Sequence, residues 1–129
     1  MHERDLINPI LLKASKIGCR LFRVNTGVGW VGRVISKTTG RIILGDPRPL
    51  HAGLCAGGSD IIGLRRVTIT PDMVGTVIAQ FVAIEVKTPG DKQSDEQERF
   101  LEMVRASGGF ALEARDVDSV LAALSERAG

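Results

Sequence analysis

The segment Phe81-Val82-Ala83-Ile84-Glu85-Val86-Lys87 is apolar enough to be a core strand, yet it carries a carboxylate and an ammonium two positions apart. Side chains alternate across a strand, so Glu85 and Lys87 share a face. Neither belongs in a dry core, because an ionised group loses its hydration there unless it is paired. A surface ion pair near a strand end looks the same, and a lone E-x-K does not separate the two readings. The chemistry depends on what accompanies the motif.

Upstream, Asp60-Ile61-Ile62-Gly63-Leu64 opens a second β-favouring run, and Thr70-Pro71-Asp72-Met73 suits a type I turn with proline at its second position. Read with runs at 66–70 and 76–87, this predicts one long hairpin over about 60–87, which sets residue 60 opposite 85–87. Asp60 and Glu85 then share a hard divalent ion, Mg²⁺ or Mn²⁺, which polarises a scissile phosphate and lowers the pKa of an attacking water. Lys87 beside them positions that water or stabilises the charge building on phosphorus. Pro71-Asp72 with Glu85-Val86-Lys87 also spells a compact nuclease pattern. However, Asp72 then sits at the hairpin tip, up to roughly 40 Å along an extended strand from Glu85, and is better read as a turn residue.

The rest of the chain reads as α, several β, α, β, α. Leu6, Ile7, Ile10, Leu11 and Ala14 recur at helical spacing before Gly18; Pro9 either kinks this helix or follows Asn8 as its first residue. Runs at 20–25, 30–36 and 41–44, the last two joined by Lys37-Thr38-Thr39-Gly40, predict a three-stranded meander. A Gly- and Pro-rich loop is expected over 45–58. A helix from Ser94 to about Ala106 is stopped by Gly108-Gly109, a strand spans 109–114, and Val117, Val120, Leu121 and Leu124 mark a last helix.

At 129 residues the chain is expected to form one domain, 1–129. Hydrophobic residues make up 43%, but every apolar run is short and broken by charge, so no bilayer span and no membrane partner are expected. Met1-His2-Glu3-Arg4-Asp5 lacks the features of a secretory signal, which points to the cytoplasm. Cys19 and Cys55 have neither CxxC spacing nor neighbouring histidines and read as buried free thiols. A net charge of +2 permits nucleic-acid binding without demanding it.

Taken together, Gly57-Gly58-Ser59-Asp60, Ala83-Ile84-Glu85-Val86-Lys87-Thr88-Pro89-Gly90, Ser94-x-x-Gln97 and Ser107-Gly108-Gly109 resemble the VRR-NUC family, the virus-type replication-repair nucleases of the PD-(D/E)xK superfamily. The likeness spans nearly the whole chain and takes in Glu3 and Arg23-Val24-Asn25-Thr26-Gly27; Ser59 stands where the superfamily name has proline. It implies an α/β fold, a single PD-(D/E)xK restriction-endonuclease-like domain with a mixed central sheet flanked by helices, and a Mg²⁺- or Mn²⁺-dependent DNA endonuclease. It implies that Asp60 and Glu85 bind the metal, with Val86 also at the ion, that Lys87 assists the nucleophilic water, and that Gln97 completes the site from the following helix. Glu3 matches the family's acidic residue on the first helix, acting directly or through water. Replication or repair of branched DNA such as four-way (Holliday) junctions, by a homodimer, follows from the same resemblance.

Several residues admit a plainer role. Ser94-Asp95-Glu96-Gln97 also fits a capping box, so Gln97 is either a cap or a site residue, or both if its amide is shared. Arg20, Arg23, Arg33, Arg41 and Arg48 precede Asp60 and are candidates for phosphate contacts, against a reading as solvated surface. Asn25 with Gly27 and Gly29 forms a turn near the site or merely a turn. Residues 53–58 lack the strand-loop-helix setting of a nucleotide cradle. His2 and His51 are isolated. Trp30 reads as a packing residue, and an aromatic content of 4% is too small for a base-stacking surface. Two other functions compete with the nuclease: a non-catalytic DNA-binding subunit of the same fold, and a small α/β domain whose E-x-K is only a surface pair. The intact Asp60, Glu85, Lys87 set argues against the former, and divalent-ion binding separates the latter.

Overall fold

A computed structural model describes residues 2–126 and is mixed α/β, as the sequence predicts. Its elements are α1 (Glu3–Lys16), β1 (Cys19–Arg23), β2 (Gly27–Thr38), β3 (Arg41–Ala52), β4 (Ile61–Arg65), a short 3-10 helix (Pro71–Met73), β5 (Val82–Val86), α2 (Asp95–Ala106), β6 (Phe110–Ala114) and α3 (Val117–Ser125). Among the described residues the strands form three two-stranded sheets, β1 with β4, β2 with β3 and β5 with β6. No helix among these residues is long and apolar enough to cross a membrane.

The chain divides into two compact units, residues 1–14 with 21–62, and residues 15–20 with 63–129. In the first, α1 runs through Pro9, which forfeits one main-chain bond without ending the helix. β2 and β3 form an antiparallel ribbon of twelve residues per strand, roughly 40 Å long at strand rise. The meander expected here is not formed, because β1 pairs with β4 and leaves the ribbon two-stranded. The loop expected over 45–58 is strand as far as Ala52. Each strand of the ribbon is an edge strand, so Pro47 and Pro49 break no ladder on an outer side. The register shifts between Val31 and Arg33, where Asp46 turns into the left-handed region (φ 51°). Gly32 faces that bulge, and a Cβ there would lie 2.7 Å from the Gly45 carbonyl oxygen. Trp30, expected to pack, is 62% exposed on the ribbon.

The second unit is organised by β5-α2-β6. β5 and β6 pair in parallel, Val82 with Phe110 through Val86 with Ala114. A parallel pair needs a long crossover, and α2 supplies it. The hairpin expected over 60–87 is therefore absent: β4 ends at Arg65, and β5 makes its ladder with β6. Thr70-Pro71-Asp72-Met73 is nevertheless a turn, closed by Met73 N–H on the Thr70 carbonyl at 2.9 Å.

α2 is specified at both ends. Ser94 Oγ accepts from Gln97 N–H at 3.1 Å and Gln97 Oε1 accepts from Ser94 N–H at 2.9 Å, a complete capping box followed by Asp95, Glu96 and Glu98 in the first turn. At the other end Gly108 N–H bonds Arg105 O and Gly109 N–H bonds Val104 O, a Schellman motif with Gly108 at φ 93°. Gly109 is required by contact, since a Cβ there would lie 2.6 Å from Val104 Cγ1. The motif seats Leu101 and Val104, 3% and 0% exposed, with Leu64 and Ala114 as the buried apolar residues of this unit. Ser94→Ala is expected to lower stability by about 1 kcal/mol, read as a lower denaturant midpoint at unchanged slope.

Candidate active site

Alternation along β5 sorts its side chains. Phe81, Ala83, Glu85 and Lys87 are partly buried, while Val82, Ile84 and Val86 are exposed. Glu85 and Lys87 thus share the face that α2 reaches. Lys87 Nζ lies 3.5 Å from Glu85 Oε1, with the lysine side chain only 14% exposed and the glutamate 30%. The Lys87 side chain is thus mostly covered, with its ammonium beside the Glu85 carboxylate.

Gln97 resolves its two roles by dividing its amide. Oε1 closes the capping box, and Nε2 donates to Glu85 Oε1 at 2.8 Å. The box fixes the side chain's direction, and the fixed NH₂ in turn holds the carboxylate. Both Lys87 and Gln97 meet Oε1 of the Glu85 carboxylate. A half-buried carboxylate oxygen is a hard donor suited to Mg²⁺ or Mn²⁺.

The turn after β5 is tightly made. Pro89 and Gly90 (φ 88°) occupy the centre of a type II turn closed by Asp91 N–H on the Thr88 carbonyl at 3.1 Å. Hydrogen bonds from the Thr88 hydroxyl and N–H, aided by the Lys87 and Arg115 charges, hold the Asp91 carboxyl below its ordinary 3.8. A depressed folded-state value means that this support is complete above pH 3.8 and is lost as the pH falls through the lowered value.

The sequence reading missed Glu113 and Arg115. Glu113 stands opposite Glu85 on the neighbouring parallel strand, so both carboxylates share one face. Arg115 pairs with Glu113 at 2.5 Å. The signal was present, since Glu113-Ala114-Arg115 repeats the charge spacing of Glu85-Val86-Lys87; only the parallel register shows that the repeats are neighbours.

The expected residues divide between the two units. Glu85, Val86, Lys87 and Gln97 lie in the second unit; Glu3, Arg23, Asn25, Arg33, Arg41, Arg48 and Asp60 lie in the first. Asp60 is exposed just before β4, its carbonyl accepting Val24 N–H at 2.8 Å. Glu3 is exposed in the first turn of α1. The Val86 side chain, 72% exposed, points to the face opposite Glu85, where Ile84, Val86, Val117, Val120 and Leu121 line an apolar cleft unsuited to a phosphate. Arg33, Arg41 and Arg48 are exposed on the β2–β3 ribbon; Arg23 ends β1 and Asn25 lies in the link to β2. Among the described residues no three of His, Cys, Asp and Glu gather as a metal cluster. The thiols are free, Cys19 half-buried and Cys55 exposed, which corrects the expectation that both are buried.

Residues 46–117 match the family model of the VRR-NUC domain, a span that holds Asp60, Glu85, Lys87, Gln97, Glu113 and Arg115. No curated protein matches the chain. No solved structure matches it either.

Proposed function

The chain belongs to the VRR-NUC family of nucleases, and from that premise we propose that it is a divalent-metal-dependent DNA endonuclease formed by one domain, residues 1–129, with Glu85, Lys87, Gln97 and Asp60 as its working residues. The observation that carries the reading is the divided Gln97 amide, which aims the carboxylate of a half-buried Glu85–Lys87 pair.

Glu85 and Asp60, with the main-chain carbonyl of Val86 and the Glu3 carboxylate, are the groups that would hold Mg²⁺ or Mn²⁺. When bound, the ion supplies Lewis-acid polarisation of the scissile phosphate and a lowered pKa for water. The side chains do the rest. Gln97 keeps Glu85 from rotating away, and the Lys87 ammonium faces the negative charge that grows as water adds to phosphorus and a P–O ester bond breaks. Arg23, Asn25, Arg33, Arg41 and Arg48 bind the DNA backbone, the ribbon offering its arginines to successive phosphates.

The substrate we propose is branched DNA, a four-way junction above all, cut by a homodimer in replication or repair. One site makes one nick, and a two-fold pair of sites matches the symmetry of the junction. A panel of linear, nicked, flapped and four-way-junction DNA, with Mg²⁺, Mn²⁺ or EDTA, tests the whole reading. EDTA is expected to reduce cleavage to background, and excess Mg²⁺ or Mn²⁺ to restore it. Full activity in chelator would sink the mechanism. A monomer by light scattering, or linear duplex cut as fast as the junction, removes the proposed substrate and leaves the chemistry.

A further inference from the structure

Arg115 makes three contacts with one guanidinium: Glu113 Oε1 at 2.5 Å, the Thr88 carbonyl at 3.2 Å and the Asp91 carbonyl at 2.8 Å. The last two are the first and fourth residues of the type II turn that begins immediately after Lys87. That turn also sets where the chain leaves β5 on its way to Ser94, Gln97 and α2. Lys87 is held from its other side by its own N–H, which bonds the Ala114 carbonyl at 2.9 Å. Lys87 is thus bounded by a β6 contact at its main chain and by an Arg115-clamped turn at its C-terminal side.

Glu113 faces Glu85 across the parallel pair, and two like charges so placed repel. The ion pair with Arg115 neutralises Glu113, which leaves Glu85 to Lys87 and Gln97. The same ion pair orients the guanidinium, whose planar fork presents one nitrogen to the Thr88 carbonyl and the other to the Asp91 carbonyl.

We propose that Arg115 is a positioning residue for the nuclease reaction: aimed by Glu113, it clamps the Thr88–Asp91 turn and thereby fixes Lys87 and Gln97 around Glu85. The proposal rests on the nuclease reading. A misplacement of about 1 Å in a reacting group costs on the order of 10²-fold in rate, so a slackened turn is read in kcat. Binding of DNA by the ribbon is left as it was.

The test compares the wild-type chain with Arg115→Ala, Arg115→Lys and Glu113→Gln on a synthetic four-way junction and a linear duplex in Mn²⁺. Rates are taken at a temperature where circular dichroism shows each protein fully folded. Amide hydrogen exchange is followed at Lys87 and Asp91. For Arg115→Ala the expectation is a kcat lower by about 10- to 100-fold, KM within about twofold, and faster exchange at both amides. Arg115→Lys keeps a charge beside Glu113 and is expected to recover part of kcat while the Asp91 amide still exchanges fast. It also decides the matter if Arg115→Ala does not fold. Glu113→Gln still accepts a hydrogen bond from Arg115 and is expected to lose less than either. A folded Arg115 variant with wild-type kcat overturns the proposal, as does a loss confined to KM. If wild-type protein with Mn²⁺ cuts no DNA, the nuclease reading falls; exchange then decides alone, faster rates at Lys87 and Asp91 supporting the clamp and unchanged rates overturning it.

Discussion

Glu85→Gln is expected to lower the cleavage rate by about 10³-fold or more, the scale of several kcal/mol of lost transition-state charge stabilisation. The substitution keeps the shape of the side chain and a carbonyl oxygen for Gln97 and Lys87, while it removes the charge that would hold the ion. Glu85 is outside the buried core, its side chain 30% exposed, so little packing is at stake. Far-UV circular dichroism should therefore be unchanged in the variant that is inactive. Glu85→Ala is the harsher test, since it strips a 14%-exposed Lys87 of its partner and is expected to lose stability as well. Asp60→Ala, at an exposed position before β4, is expected to lose activity without losing stability. Either carboxylate is removed from the mechanism by a folded variant that cuts at the wild-type rate in Mn²⁺.

Gln97→Glu separates the two duties of that side chain. Glutamate at the third helical position still closes a capping box with Ser94, and a negative charge suits a helix N-terminus, so the helix itself is not weakened. What disappears is the NH₂ that donates to Glu85 at 2.8 Å, and a second carboxylate takes its place. A hydrogen bond to a charged group contributes about 1.5–3 kcal/mol, so a loss of roughly 10- to 100-fold in kcat is expected at neutral pH. Unchanged activity in a protein of unchanged melting temperature would reduce Gln97 to a cap.

The strand that carries Glu85 and Lys87 was legible because its signal is local. Alternation places Glu85 and Lys87 on one face whatever the strand pairs with, and the burial of residues 81–87 follows that sorting. α2 was legible for the same reason: Ser94, Gln97, Gly108 and Gly109 act within a few residues of themselves, through a capping box and a Schellman motif. The family resemblance was legible too, since it rests on short motifs in fixed order.

Strand partners were not, because a ladder is chosen by main-chain groups that every residue carries. The sequence by itself determined which residue types stand at 60, 85, 87 and 97, the mixed α/β class, the family and the ends of α2. Only the tertiary structure decided that β5 takes β6 as a parallel neighbour in place of an antiparallel run from Asp60, that β1 leaves the β2–β3 ribbon for β4, and that Arg115 reaches back to the turn after Lys87. The physical reason is the crossover. Once α2 buries Leu101 and Val104 and turns the chain at Gly108-Gly109, β6 returns alongside β5 in the register that sets Glu113 against Glu85, a relation between residues 28 positions apart that no local pattern encodes.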